Sequence, residues 1–264
     1  MKNIGIFKQV EAAIINSDRL REAIPYLIIV VVSFFILQST VVVMHEFTHS
    51  TTAWVLGDLP SPFDIVWGNP LMMTGWDEGV DYHKLVAEGR YIQEALIGGS
   101  PLLMHALIVT WSLIFLQKES LVKRKWLFHA VFWFTAANCM ELIAYIWMRP
   151  FSSHGDTGHF NHGLGLSPWI LFILGSSALV FGLYVFYQRV LPRAHALFAR
   201  GNPVIEWTIL GLSAFIMFLW GSGIRVMAYV SGPQRFFGLL GVLAFIMVVF
   251  LFRPKQENKI IQSS

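Results

Sequence analysis

Cysteine is almost absent from this chain of 264 residues: the single thiol, Cys139, lies within an apolar run and excludes an internal disulfide. Charge is also scarce. Asp, Glu, Lys and Arg make up 13% of the residues against 55% hydrophobic, which excludes an ordinary soluble domain and predicts an integral membrane protein. No internal repeat or low-complexity segment occurs, which argues against a solenoid and against a transporter built from duplicated halves. The first 24 residues lack a small-residue cleavage site, so the run that follows reads as a retained span and not as a signal peptide.

What is present are long apolar runs. Pro25 to Leu56, Tyr91 to Gln117, Trp126 to Met148, Pro168 to Leu191, Pro203 to Val230 and Phe236 to Phe252 are each long enough to cross a hydrocarbon layer of roughly 30 Å. The expected fold is an all-α integral membrane protein of about six transmembrane helices. Basic residues are retained on the cytoplasmic side of a span, and six spans with a cytoplasmic N-terminus place fourteen of the nineteen Lys and Arg inside. Both termini are then cytoplasmic, in the plasma (inner) membrane. The formal net charge of +3 reflects these inner loops rather than a nucleic-acid partner. The chain divides into an inner amphipathic segment (1–24, with Phe7, Val10 and Ile14 on one face), a three-helix core (25–166), three further spans (167–252) and a cytoplasmic tail (253–264). The outer loop 57–90 holds two short apolar runs, 63–67 and 70–76, around a Gly68-Asn69 pair, which predicts a short β-hairpin at the interface.

One polar motif interrupts the first span. His45-Glu46-Phe47-Thr48-His49 sets two imidazoles four residues apart, on one helical face, with a carboxylate beside them. That pattern suits Zn2+: the ion would acidify a water, and Glu46 would take the proton as the resulting nucleophile attacks a carbonyl. Gln38 and Thr52 continue the same stripe, which should therefore face protein and not lipid. A catalytic zinc commonly takes a third protein ligand. The segment after the third span offers His154, Asp156, His159 and His162 on the same outer side. Asp156, flanked by Gly155 and close to Gly158, is the first choice, with His154 and His159 as competitors. Asn138 and Glu141, inside the third span, are candidates for transition-state support, a proton relay or the bracing of a ligand histidine. His105, His129, Glu206 and Arg225 read as packing residues.

Three segments in order resemble the site-2 intramembrane zinc metalloproteases: HEFTH on the first core helix, Gly98-Gly99-Ser100-Pro101 opening the second, and His154-Gly-Asp-Thr-Gly158 after the third. The resemblance covers roughly the first 160 residues and implies a Zn2+-dependent endopeptidase acting on a membrane-protein substrate. Asp156 would be its third ligand, and the first outer loop would hold an edge strand receiving an extended peptide. Two other classes compete. A membrane di-iron hydroxylase or desaturase would use HEFTH and His159-Phe-Asn-His162 as histidine boxes, but such sites need more ligands and an adjacent His-His pair that is absent here. A metal transporter would show paired repeats or several intramembrane carboxylates.

Overall fold

A computed structural model describes residues 2–69, 75–223 and 234–254, the side chains of 2–16 and 234 excepted. The described chain is helical. α1 (Lys2–Val55), α2 (Tyr82–Ala87), α3 (Tyr91–Leu116), α4 (Glu119–Val122) and α5 (Lys125–Ile143) come first. α5 runs on through a π turn, Ala144–Met148, and a 3-10 turn, Arg149–Phe151. α6 (Asp156–Leu164) follows, then α7 (Pro168–Val185), which passes through a π turn, α8 (Leu191–Ala194) and a second π turn to Ala199. α9 (Pro203–Ala214) continues as a π segment to Trp220, and α10 is Gln234–Leu251.

Five of these helices are long and apolar enough to cross a membrane: Ser17–Val55, Tyr91–Leu116, Lys125–Phe151, Pro168–Ala199 and Pro203–Trp220. In lipid every backbone group must be satisfied within the chain, and the continuous helical ladder does this. The embedded hydroxyls follow suit. Thr40, Thr110 and Thr135 each return their O–H to the carbonyl four residues back. Side chains such as Ile36, Trp111, Leu174 and Phe181 are exposed on the outside of the bundle, where a soluble protein would bury them.

The sixth expected span is shorter than the rest, with Arg235–Leu251 as its apolar helix. The fifth, expected to reach Val230, ends at Trp220 in a turn through Gly221; its remainder from 224, and Arg225 with it, lies outside the described residues. Helix α1 runs without a break through the segment expected to form a separate amphipathic helix; the faces of Phe7, Val10 and Ile14 lie outside the described side chains. One apolar cluster, with Trp133, Phe132, Phe186, Met148 and Phe218 fully buried, joins the first three long helices to the later ones.

Of the expected hairpin the described residues show one antiparallel bridge, Val66 to Asp77, with Asn69 in a further bridge whose partner lies outside them, and no strand occurs among the described residues. Trp67 packs edge-on against Trp76, and the Trp76 indole donates to the Asn69 carbonyl. This pairing puts Gly68 and Asn69 on one arm and not at the tip; residues 70–74 lie outside the description. The loop is pinned to α1, where the Ser50 hydroxyl donates to the Pro62 carbonyl and Phe47 meets Phe63 edge to face.

Candidate metal centre

Helix α1 delivers His45 and His49, and the chain returns to them after α5. Gly155 takes φ 75°, a conformation costly for any residue with a Cβ, and turns the backbone so that α6 opens on Asp156. The segment after the third span is thus a short helix. His45 Nε2 lies 2.8 Å and His49 Nε2 3.3 Å from Asp156 Oδ2, and the two imidazole nitrogens are 3.2 Å apart. A tetrahedral cation with ligand bonds of about 2.0–2.1 Å needs its ligand atoms roughly 3.3 Å apart. The three residues form the one cluster of this kind among the described residues.

The hydrogen bonds around the cluster decide what it can hold. Asn138 donates its amide N–H to the Phe134 carbonyl, which leaves its Oδ1 to accept from His105 Nδ1 at 2.8 Å. His105 then carries its proton on Nδ1, so its Nε2 must accept, and the atom facing it at 3.0 Å is His45 Nδ1. His45 is therefore protonated on Nδ1 and turns the lone pair of Nε2 towards Asp156. His49 reaches the same state by another route, donating from Nδ1 to the Ile97 carbonyl at 2.7 Å. Two lone pairs and a carboxylate oxygen converge on one point. Asp156 Oδ2 is buried and has no hydrogen-bond donor. Three electron-rich atoms so close repel one another unless a proton or a metal cation stands between them, and the donor set of two imidazoles and a carboxylate fits a divalent metal.

Helix α3 is the template for this arrangement, and its Gly98-Gly99-Ser100-Pro101 stretch has a physical reading. Pro101 has no N–H, so the carbonyl four residues back, Ile97, loses its intrahelical donor and is left for His49 and for the Ser100 hydroxyl. A Cβ on Gly98 would stand 2.8 Å from the Asp156 carbonyl oxygen, and one on Gly99 would enter the Phe160 ring; bare glycines let α6 lie against α3. Gly158 serves a different contact from the one expected. It faces the backbone of Ser152 and Ser153, not His45 or His49.

A polar cavity of about 190 Å³ opens beside His45, lined by Gln38, Glu46, Trp76, Glu141, Tyr145 and Arg149 among others. Glu46 is half-buried there, next to the ligand it follows in sequence. Gln38 is fully buried and donates to Glu141, so the expected polar stripe does face protein. Glu141, expected to brace a ligand histidine or relay a proton, has Gln38 as its partner, while His105 braces His45. Of the competing ligands, His154 is exposed and His159 is engaged by Glu94.

Sequence reasoning missed three contributors. His105 read as packing but touches His45 directly. Tyr145, in the buried π turn, stacks on His45 with its hydroxyl 3.2 Å from Nε2, and Arg149 lies over the Tyr145 ring. Such turns break helical periodicity, which re-aims side chains at functional sites. Glu94 was not singled out at all. No protein-family model, curated protein or solved structure matches this chain.

Proposed function

We propose that this protein is a membrane-embedded, zinc-dependent endopeptidase of the site-2 type, which hydrolyses a peptide bond in a membrane-protein substrate. The observation that carries the reading is the convergence of His45 Nε2, His49 Nε2 and Asp156 Oδ2, with lone pairs facing inward, beside a carboxylate in a polar cavity at the end of a long apolar helix. His45, His49 and Asp156 would hold the ion; when bound, Zn2+ supplies a Lewis acid that acidifies water and polarises a carbonyl. Glu46 takes the proton from the attacking water and returns it to the departing amine. The Tyr145 hydroxyl offers a donor to the oxygen on which charge develops, and Arg149 beside it adds positive potential. The apolar exterior confines the reaction to a bilayer, where an unwound substrate segment reaches the cavity under Trp76 and the loop that carries it. The basic end of the bundle faces the cytoplasm and the site end faces outward.

The histidine box that a di-iron enzyme would need at His159 and His162 is engaged instead with Glu94. Purified wild-type protein should carry one zinc. Glu46→Gln should retain that zinc and lose cleavage by about 10²–10⁴-fold, the usual worth of a general base. The readout is substrate fragments that accumulate in membranes only with wild-type Glu46. Turnover that survives Glu46→Gln would remove the proposed base and the peptidase mechanism with it.

A further inference from the structure

Glu94 is a carboxylate only 1% exposed, in the first turn of a membrane-spanning helix. Burying such a group is costly unless both oxygens are satisfied. Here no Lys or Arg among the described residues supplies the bonds. Oε1 accepts from His159 Nδ1 at 2.8 Å and Oε2 from His162 Nδ1 at 2.7 Å. These histidines stand three residues apart on α6, and Asp156 stands three residues before the first of them, on the same face. A bond to one histidine would fix the distance between α3 and α6; bonds to two along the axis also fix the rotation of α6. Tyr82 stacks flat on His159 with ring centroids 3.8 Å apart, and Tyr91 meets His162 edge-on, so both rings are held in place.

Rotation is the variable that matters. A side-chain tip lies roughly 5–6 Å from its helix axis, so turning α6 by about 20° would carry Asp156 Oδ2 about 2 Å from its place. Metal ligands tolerate displacements of only about 0.2 Å. The α1 side of the site is anchored on the same helix end, where Arg90 pairs with Asp58 and donates to the Leu56 carbonyl. Arg90, Glu94, Ile97 and His105 lie on one face of α3, and each ties down an element that bears a ligand.

We propose that Glu94 is a positioning residue for the metal: through His159 and His162 it sets the register and rotation of α6 that place Asp156 Oδ2 against His45 and His49. This rests on the metal-site reading above and adds a function for a carboxylate and two histidines that the chemistry itself does not use.

The test uses full-length protein in detergent, with zinc affinity from chelator competition, the absorption spectrum of the cobalt-substituted site, and metal stoichiometry. Glu94→Gln should weaken zinc by about 10–100-fold, the range for groups that orient ligands, and alter the cobalt spectrum. His162→Gln breaks one of the two bonds at a half-exposed ring and is the gentler second variant; it should act in the same direction, several-fold. The deciding comparison is the Asp156→Asn background, where neither change should weaken zinc further, because the group being positioned is gone. An equal loss in both backgrounds would make Glu94 a general support of the fold and overturn the proposal. So would undiminished affinity in Glu94→Gln, or a second metal equivalent lost with it, which would make the cluster a ligand set. Wild-type protein that takes up no zinc would sink the metal-site reading itself, a result distinct from each of these.

Discussion

The bundle has two ends, and each buries histidine in a different company. At the end where α1 begins its apolar run, His129 is 4% exposed among the rings of Tyr26, Trp126, Trp133 and Phe198. Its Nε2 meets the Ser33 hydroxyl and its Nδ1 has no partner. Lys125 lies over two of those aromatic rings, Asn202 bonds the Arg19 carbonyl, and Arg193 pairs with Glu119, so the segments expected to be cytoplasmic meet here. At the other end, His105 is fully buried too, but its two nitrogens connect the Asn138 amide to His45. Burial and residue type are the same. The difference lies in whether the bonded partners fix a tautomer and leave a lone pair aimed at something, and that property marks a site where burial alone marks packing.

The sharpest break of this contrast is removal of a ligand. His49→Ala should reduce zinc affinity by more than about 100-fold, beyond the upper range for groups that only orient ligands. It also leaves the Ile97 carbonyl to Ser100 alone. Metal analysis of the purified variant checks it, and full zinc occupancy would show that the three converging atoms are not the binding site.

A finer comparison sets one histidine against the other. His105→Phe removes the acceptor for His45 Nδ1–H and the donor to Asn138, freeing His45 to rotate or to carry its proton on Nε2. Zinc should weaken by about 10–100-fold. His129→Phe forfeits one bond to Ser33 and relieves an unpartnered nitrogen, so zinc affinity should not change and stability should move by no more than about 1 kcal/mol. Chelator titrations of the two variants side by side suffice; equal losses would erase the distinction drawn between the two ends.

Much of the site was legible because it is local. HEFTH needs only the four-residue spacing of a helix, and the buried stripe through Gln38 follows from the same period. Asp156 could be ranked first in a cluster within nine residues but His154 and His159 could not be set aside, since that depends on Gly155 turning the chain and on Glu94 engaging His159. That α6 is a helix was hidden for a related reason. A stretch rich in Gly, His and Asn has little propensity of its own, and its order comes from the close approach to α3. His105, Tyr145 and Glu94 act across 33 to 100 residues of sequence, and no short motif carries such contacts. One signal was available: Glu94, Gly98, Pro101 and His105 recur at helical spacing along the second span. A polar residue on a glycine- and proline-bearing membrane face predicts close packing against something that needs it.

That close approach yields the smallest expected effect and the cleanest contrast between glycines. A Cβ at Gly163 would fall 2.7 Å from the Ala95 backbone nitrogen and also against the Tyr91 carbonyl, atoms that cannot swing aside. Gly163→Ala must therefore push α6 away from α3, at a cost of about 1–3 kcal/mol for overpacking. Gly211 sits within α9 with nothing inside 4 Å of the same probe atom. Gly211→Ala should be neutral or add up to about 1 kcal/mol through helix propensity. Thermal unfolding of the metal-free variants gives these differences, and zinc titration adds the second reading: Gly163→Ala should also weaken metal binding, because α6 carries Asp156, while Gly211→Ala should not. Destabilisation by Gly163→Ala with unchanged zinc affinity would mean that α6 can retreat without moving Asp156, and that the bare Gly163 face of α6 serves the fold alone.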